Sequence, residues 1–292
     1  VRSGVLIASW EGRRTFEGRG KVPYMTADDG VQIYYTDRGE GDPIFLIHGW
    51  TMNHKFFQRN TPELSRTHRV VTMDIRGHGH SGKQELNMSL RQAAKDARAV
   101  IERLGLDRVT LAGWSMGTSL IFHYFDLFGG ERLKNAVFID MTPRLVNDGG
   151  WGHGVFGTLD YAAAYALERD IFEDRLTVEE AFIPACFKDG EAPDEETSEW
   201  WIGESMLTPT GVMVAFWTSM VAHDWREQLP RTPVPVLLCY GARSALYPTE
   251  LGALLDERIP ESELVIFDES GHSPFWEEPE KFNREVARFA DS

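Results

Sequence analysis

The chain reads as an α/β protein, a mostly parallel eight-stranded sheet with helices on both faces and a helical cap inserted late in the chain. Three observations predict this. Short apolar runs alternate with stretches of helical periodicity, which is the pattern of parallel strands joined by crossover helices. Each run ends in a polar loop that carries glycine. The rhythm then stops across residues 145–228 and resumes beyond them, so the chain divides into a core of 21–144 and 229–292, the cap between, and an N-terminal arm over 1–20.

The elements follow in order. Val5-Leu6-Ile7-Ala8 is too short for a signal segment and runs into Glu11, Arg13 and Arg14, and no stretch approaches the roughly 18 apolar residues of a membrane span. Val31–Thr36 alternates as an edge strand after a turn at Asp28-Asp29-Gly30. Pro43–Ile47, Arg69–Met73, Val109–Ala112, Ala136–Ile139, Val234–Tyr240 and Leu264–Phe267 read as buried strands. Helical periodicity covers Leu90–Leu104, Thr118–Phe128, Thr249–Arg258 and Glu280–Ala290, with Ser89 and Thr249 as expected N-caps. The cap opens on the breakers Asp148-Gly149-Gly150-Trp151-Gly152, has an acidic exposed stretch at Glu191–Glu199 and is rich in large aromatic residues. Most of these hold the cap together; some are expected to wall a cleft beneath it.

Composition narrows the partners. A formal net charge of -15, from 30 basic and 45 acidic residues, disfavours nucleic acid and anionic membrane surfaces. A soluble globular protein acting on a small molecule is the expectation. Cys186 and Cys239 sit in apolar surroundings and read as buried thiols, which fits a reducing, cytoplasmic compartment.

Gly113-Trp114-Ser115-Met116-Gly117 follows a buried run and opens a helix. Small residues two before and two after a serine let the backbone fold back sharply and lift the hydroxyl clear of the sheet. Serine needs a base, and His272 stands just after the run Leu264–Phe267, at the carboxyl edge of the sheet where sites assemble. An anionic oxygen needs donors. The N–H of Met116 at a helix start and the N–H of Trp50, in His48-Gly49-Trp50 after another buried run, are the candidates.

Leu46–Trp50, Asp74–Ser81, Gly113–Gly117 and Gly271–Pro279 occur in the order seen in α/β-hydrolase fold enzymes, and the chain resembles that family from about Tyr24 to Phe289. The first and third motifs are similar to those of esterases and of haloperoxidase or perhydrolase-type members. The resemblance assigns Asp74–Ser81 to a structural loop, so His78 and His80, despite their H-x-H spacing, are read as supporting residues and not as metal ligands. It also exposes a departure. Where the family places its acid, this chain has Ser244, in Gly241-Ala-Arg-Ser244-Ala-Leu-Tyr-Pro248. A hydroxyl cannot stabilise an imidazolium as a carboxylate does. Asp140, after the strand that precedes the cap, resembles the acid of members that carry it there; Asp268 and Glu269 are read as solvated loop carboxylates.

These readings combine into a serine hydrolase that cleaves a carboxylic ester or lactone through an acyl-enzyme. The catalytic residues are Ser115, His272 and Asp140, the oxyanion donors are Trp50 and Met116, and Trp50, Trp114, Trp151, Trp217 and Phe275 line the substrate pocket. No metal or organic cofactor is implied, and the expected substrate is apolar. Two alternatives share the frame: cofactor-free perhydrolase, haloperoxidase or oxygenase chemistry, and a receptor-like binding module with little or no hydrolysis, which the absent acid at Ser244 keeps open.

Overall fold

The computed structural model describes residues 23–84 and 86–292, so the N-terminal arm expected over 1–20 lies outside the described residues. The strands are β1 (Tyr24–Thr26), β2 (Gln32–Arg38), β3 (Pro43–Ile47), β4 (Arg69–Met73), β5 (Val109–Trp114), β6 (Leu133–Ile139), β7 (Val236–Gly241) and β8 (Ser262–Phe267). They form one eight-stranded sheet in the order β1-β2-β4-β3-β5-β6-β7-β8. Pairing is antiparallel from β1 to β2 and from β2 to β4, and parallel everywhere else. The three-residue β1 is the strand that the apolar runs do not reveal.

Strand pleat explains why the central runs are apolar throughout. Phe45 and Ile47 face one core while Ile44 and Leu46 face the other, so every residue of β3 is buried. Helices α2 (Leu90–Arg103), α3 (Met116–Phe128) and α8 (Thr249–Arg258) cover the first face; α1 (Thr61–Leu64), α9 (Pro274–Glu277) and α10 (Pro279–Asp291) cover the second. Ser89 caps α2 by accepting from Gln92 N at 3.3 Å, as the sequence implies. Thr249 does not cap α8. Pro248 holds that position with no side-chain hydrogen bond, since its ring carries no acceptor, and Thr249 is the first helical residue.

Between β6 and β7 the chain inserts α4 (Tyr161–Glu173), α5 (Arg175–Ala185), α6 (Glu195–Ser205) and α7 (Thr210–Val221). Aspartates start three of them: Asp160, Asp174 and Asp194 each accept from the N–H three residues on. Their inner faces join the core. Phe216, Met213 and Ile171 pack into the first apolar cluster, and Trp201, Ile183 and Phe187 into the second. Cys186 and Cys239 are free and buried, and among the described residues no helix is long and apolar enough to cross a membrane.

A close backbone approach in the core lies between β3, β5 and the start of α3. A Cβ on Gly117 would sit 2.4 Å from Ile47 O, and one on Gly113 would sit 2.4 Å from Gly117 O. Backbone cannot yield there as a flexible side chain would. We therefore expect Gly117→Ala to lower unfolding stability by about 1–3 kcal/mol. Gly152→Ala, whose Cβ would meet open space, should change it by less than about 0.5 kcal/mol, both read from denaturant midpoints.

Candidate active site

Ser115 lies between β5 and α3 at φ 52°, ψ -118°, a backbone conformation that side-chain-bearing residues rarely adopt. It is held there from both sides. Its N–H donates to Ile139 O at 2.9 Å, its carbonyl accepts from Thr118 N at 2.8 Å, and Thr118 Oγ1 donates to Gly113 O at 2.6 Å. The side chain itself is only half-buried, and Oγ makes no hydrogen bond to the described protein. Met116 N opens a helix of 13 residues. Neither that N–H nor the N–H of Trp50 donates to another group of the described protein, and the Met116 donor stands at a helix start, where negative charge is favoured.

Asp140 follows β6 at φ 45° and is buried, with its N–H donating to Cys239 O at 2.9 Å. Its Oδ2 accepts from His272 Nδ1 at 2.6 Å and from Ser244 Oγ at 2.8 Å. Oδ1 has no hydrogen-bond partner among the described residues. Burial pushes the carboxyl pKa up, against the opposing pull of His272 and Ser244. The Ser244 hydroxyl, from the loop after β7, thus meets the carboxylate that follows β6. Asp268 pairs with Lys281 at 3.2 Å and Glu269 with Arg243 at 3.1 Å, both carboxylates well exposed.

The loop carrying His272 is fixed by backbone contacts. Trp114 Nε1 donates to His272 O at 2.9 Å, and Glu277 accepts from Gly271 N at 2.7 Å. The other oxygen of Glu277 accepts from Lys188 N at 2.9 Å, which ties the segment after α5 to the same loop. Burial raises the Glu277 pKa. Nothing in the local sequence singles out Glu277, one of two adjacent glutamates.

Of the five aromatic residues expected to line a pocket, Trp50 alone lines a described cavity. It borders a groove of about 450 Å³ with Phe156, Leu167, Val178 and Phe182, between α4 and α5. Trp114 and Phe275 are a correction: they pack edge-to-face at 4.8 Å inside the second apolar cluster and are fully buried. The Trp114 indole also occupies the space beside Gly49, where a Cβ would meet it at 3.0 Å. Trp217 backs Trp50 with ring centroids 5.2 Å apart and donates Nε1 to Ala164 O. Trp151 donates Nε1 to Arg144 O beneath the Arg226 guanidinium. Larger hollows of about 890 and 640 Å³ lie along β2 and between α1 and α10, and neither borders Ser115, His272 or Asp140.

His48 and His78 stand beneath this edge, and Asp74 with them. His48 Nε2 accepts from Ile75 N at 2.9 Å, so the ring proton is on Nδ1 and donates to Gly49 O at 2.8 Å. Asp74 accepts the backbone N–H groups of His54 and His80, both at 2.7 Å. His78 Nδ1 bonds Arg76 O at 3.0 Å.

The model of the alpha/beta hydrolase fold family matches residues 42–279. The chain belongs to this family. The alpha/beta hydrolase is similar to a pimeloyl-[acyl-carrier protein] methyl ester esterase of Vibrio cholerae, at 27% identity over 89% of this chain and 98% of the relative. It is similar in structure to an esterase (EaEST) from Exiguobacterium antarcticum, with a TM-score of 0.86 and 28% identity across 92% of this chain and 99% of the other. A bromoperoxidase from Bacillus anthracis superposes with a TM-score of 0.85 at 26% identity, over 92% and 100% of the two chains. The protein is an enzyme of the alpha/beta hydrolase family with esterase relatives.

Three buried histidines make its stability acid-sensitive. Burial lowers the pKa of His48 to about 4 and those of His78 and His123 to about 3. An unfolded histidine titrates near 6.5, so below that pH the unfolded chain binds protons that the folded one refuses. Stability is therefore lost as pH falls from about 6.5 towards 4. Neither ring nitrogen of His123 has a hydrogen-bond partner among the described residues. His123→Phe should gain stability over wild type at pH 5 relative to pH 8, read from urea midpoints; an equal difference at both pH values would contradict the assignment.

Proposed function

We propose that the enzyme hydrolyses carboxylic esters, open or cyclic, through an acyl-enzyme on Ser115. The observation that carries this is the 2.6 Å contact of His272 Nδ1 with buried Asp140, on the sheet edge where Ser115 is held in its strained turn. Asp140 keeps the Nδ1 proton in place, which leaves Nε2 of His272 as the base. As Ser115 Oγ bonds to the carbonyl carbon, its proton passes to Nε2, and the carbonyl oxygen gains charge opposite the N–H groups of Trp50 and Met116. Collapse breaks the bond to the alkoxy group, which leaves with the proton from Nε2. Water repeats the sequence on the acyl-enzyme and frees the acid and Ser115.

In this reading residues 145–228 are a cap. The groove beside Trp50, walled by Phe182, Val178 and Leu167, accepts an apolar arm of the substrate. No metal or organic cofactor enters the steps. The bromoperoxidase relative supports a second reading, in which hydrogen peroxide replaces water on the same acyl-enzyme and releases a peracid. The two share Ser115.

Chromogenic esters of increasing acyl length separate the possibilities. Ser115→Ala should lower turnover at least about 10⁴-fold; equal rates in both proteins would favour a binding module. Ser244→Ala, which leaves His272 paired with Asp140, should cost at most about ten- to a hundredfold, the order of one hydrogen bond to a charged group. Adding peroxide to the ester assay and titrating peracid distinguishes the second reading from the first.

A further inference from the structure

The residue after Trp50 is in an unusual state. Met52 N donates to Gly49 O at 3.3 Å, closing a four-residue turn with Trp50 and Thr51 at its centre. Thr51 has φ 63°, whereas Trp50 is not among the residues with positive φ. A negative φ followed by a positive one is the type II pattern, whose second central position normally belongs to glycine or asparagine. A β-branched residue is strained there. Something must hold it.

Two arms grip Thr51, and both start from one turn of α5. Glu179 is fully buried, and its Oε1 accepts from Ser205 Oγ at 2.5 Å. Ser205 Oγ also lies 2.9 Å from Thr51 Oγ1. Ser205 Oγ therefore stands between Glu179 Oε1 and Thr51 Oγ1 and links the carboxylate to the turn. The second arm is cationic. Arg175 pairs with Glu179 at 3.1 Å and donates to the carbonyls of Ser205, at 2.9 Å, and Thr208. Thr208 Oγ1 then donates to Thr51 O at 2.9 Å. The hydroxyl and the carbonyl of Thr51 are thus both tied to the Arg175–Glu179 pair, 0% exposed at the carboxylate.

We infer that Glu179 is a positioning residue for hydrolysis, acting through Ser205 to keep Thr51 in its left-handed conformation and so aim the Trp50 N–H at the developing oxyanion. This rests on the proposal that Trp50 N–H is an oxyanion donor. A donor that strengthens its bond only in the transition state affects turnover and leaves ground-state binding alone. The inserted helices therefore do more than wall a groove: one of their buried carboxylates sets the geometry of the core loop.

The experiment compares wild type with Ser205→Ala, Glu179→Gln and the double variant Ser205→Ala/Thr51→Gly. Ser205→Ala cuts the relay while leaving the buried ion pair intact, so it keeps the test alive if the Glu179 variant folds poorly. Both single variants should lose about ten- to a hundredfold in kcat, a fraction of the loss for deleting an oxyanion donor, with KM within about twofold. Glycine at position 51 tolerates positive φ without help, so the double variant should recover most of the lost kcat. A change confined to KM, unchanged kcat in both single variants, or no recovery in the double variant overturns the inference. Amide hydrogen exchange supplies a readout independent of activity: exchange at Thr51 and Met52 should quicken in Ser205→Ala, and unchanged exchange also overturns it. Hydrolysis that persists in Ser115→Ala would instead sink the proposed serine mechanism, and the exchange result would still judge the relay.

Discussion

A carboxylate shut away from water organises the carboxyl edge of this sheet. Asp140 follows β6 with a left-handed backbone, is buried, and offers a single oxygen to both His272 Nδ1 and Ser244 Oγ. A buried carboxylate is tolerated only where hydrogen bonds offset its lost hydration. Its partners must therefore be held in place, and the surrounding contacts accomplish this. Trp114 and Glu277 fix the loop of His272 through its backbone, and Tyr247 N reaches Ser244 Oγ at 3.2 Å. The register of β5, β6 and β7, which pairs Trp114 with Ile139 and Ile139 with Cys239, brings the ends of all three strands to one level.

The inserted helices are fastened to the core by buried polar groups as well as apolar packing. Glu277 joins the segment after α5 to the loop of His272, and the Arg175–Glu179 pair joins α5 to the turn after Trp50. Such networks carry high stakes in a low-dielectric interior, since an unsatisfied member costs more than a satisfied one contributes. A helical insertion clipped at two such points moves only if both release.

Much of this was readable from sequence because it depends on local rules. Apolar runs of strand length located seven of the eight strands, and the glycine spacing around Ser115 anticipated the 2.4 Å approaches at Gly113 and Gly117. The hydroxyl at Ser244 directed attention to Asp140, which does lie against His272. What escaped depends on three-dimensional packing. Aromatic identity alone does not tell whether Trp114 and Phe275 face a groove or each other, and here they pack together in the interior. Glu179 looks in sequence like a surface helical glutamate beside Glu180, and only the fold buries it against Ser205. Thr51 carries no warning of its positive φ, since the strain is imposed by partners more than a hundred residues away.

If Asp140 is the carboxylate behind His272, turnover of Asp140→Asn at saturating ester should fall about 10⁴-fold with the fold intact, since an amide would replace the acid that sets the imidazole tautomer. Turnover within severalfold of wild type would contradict this role.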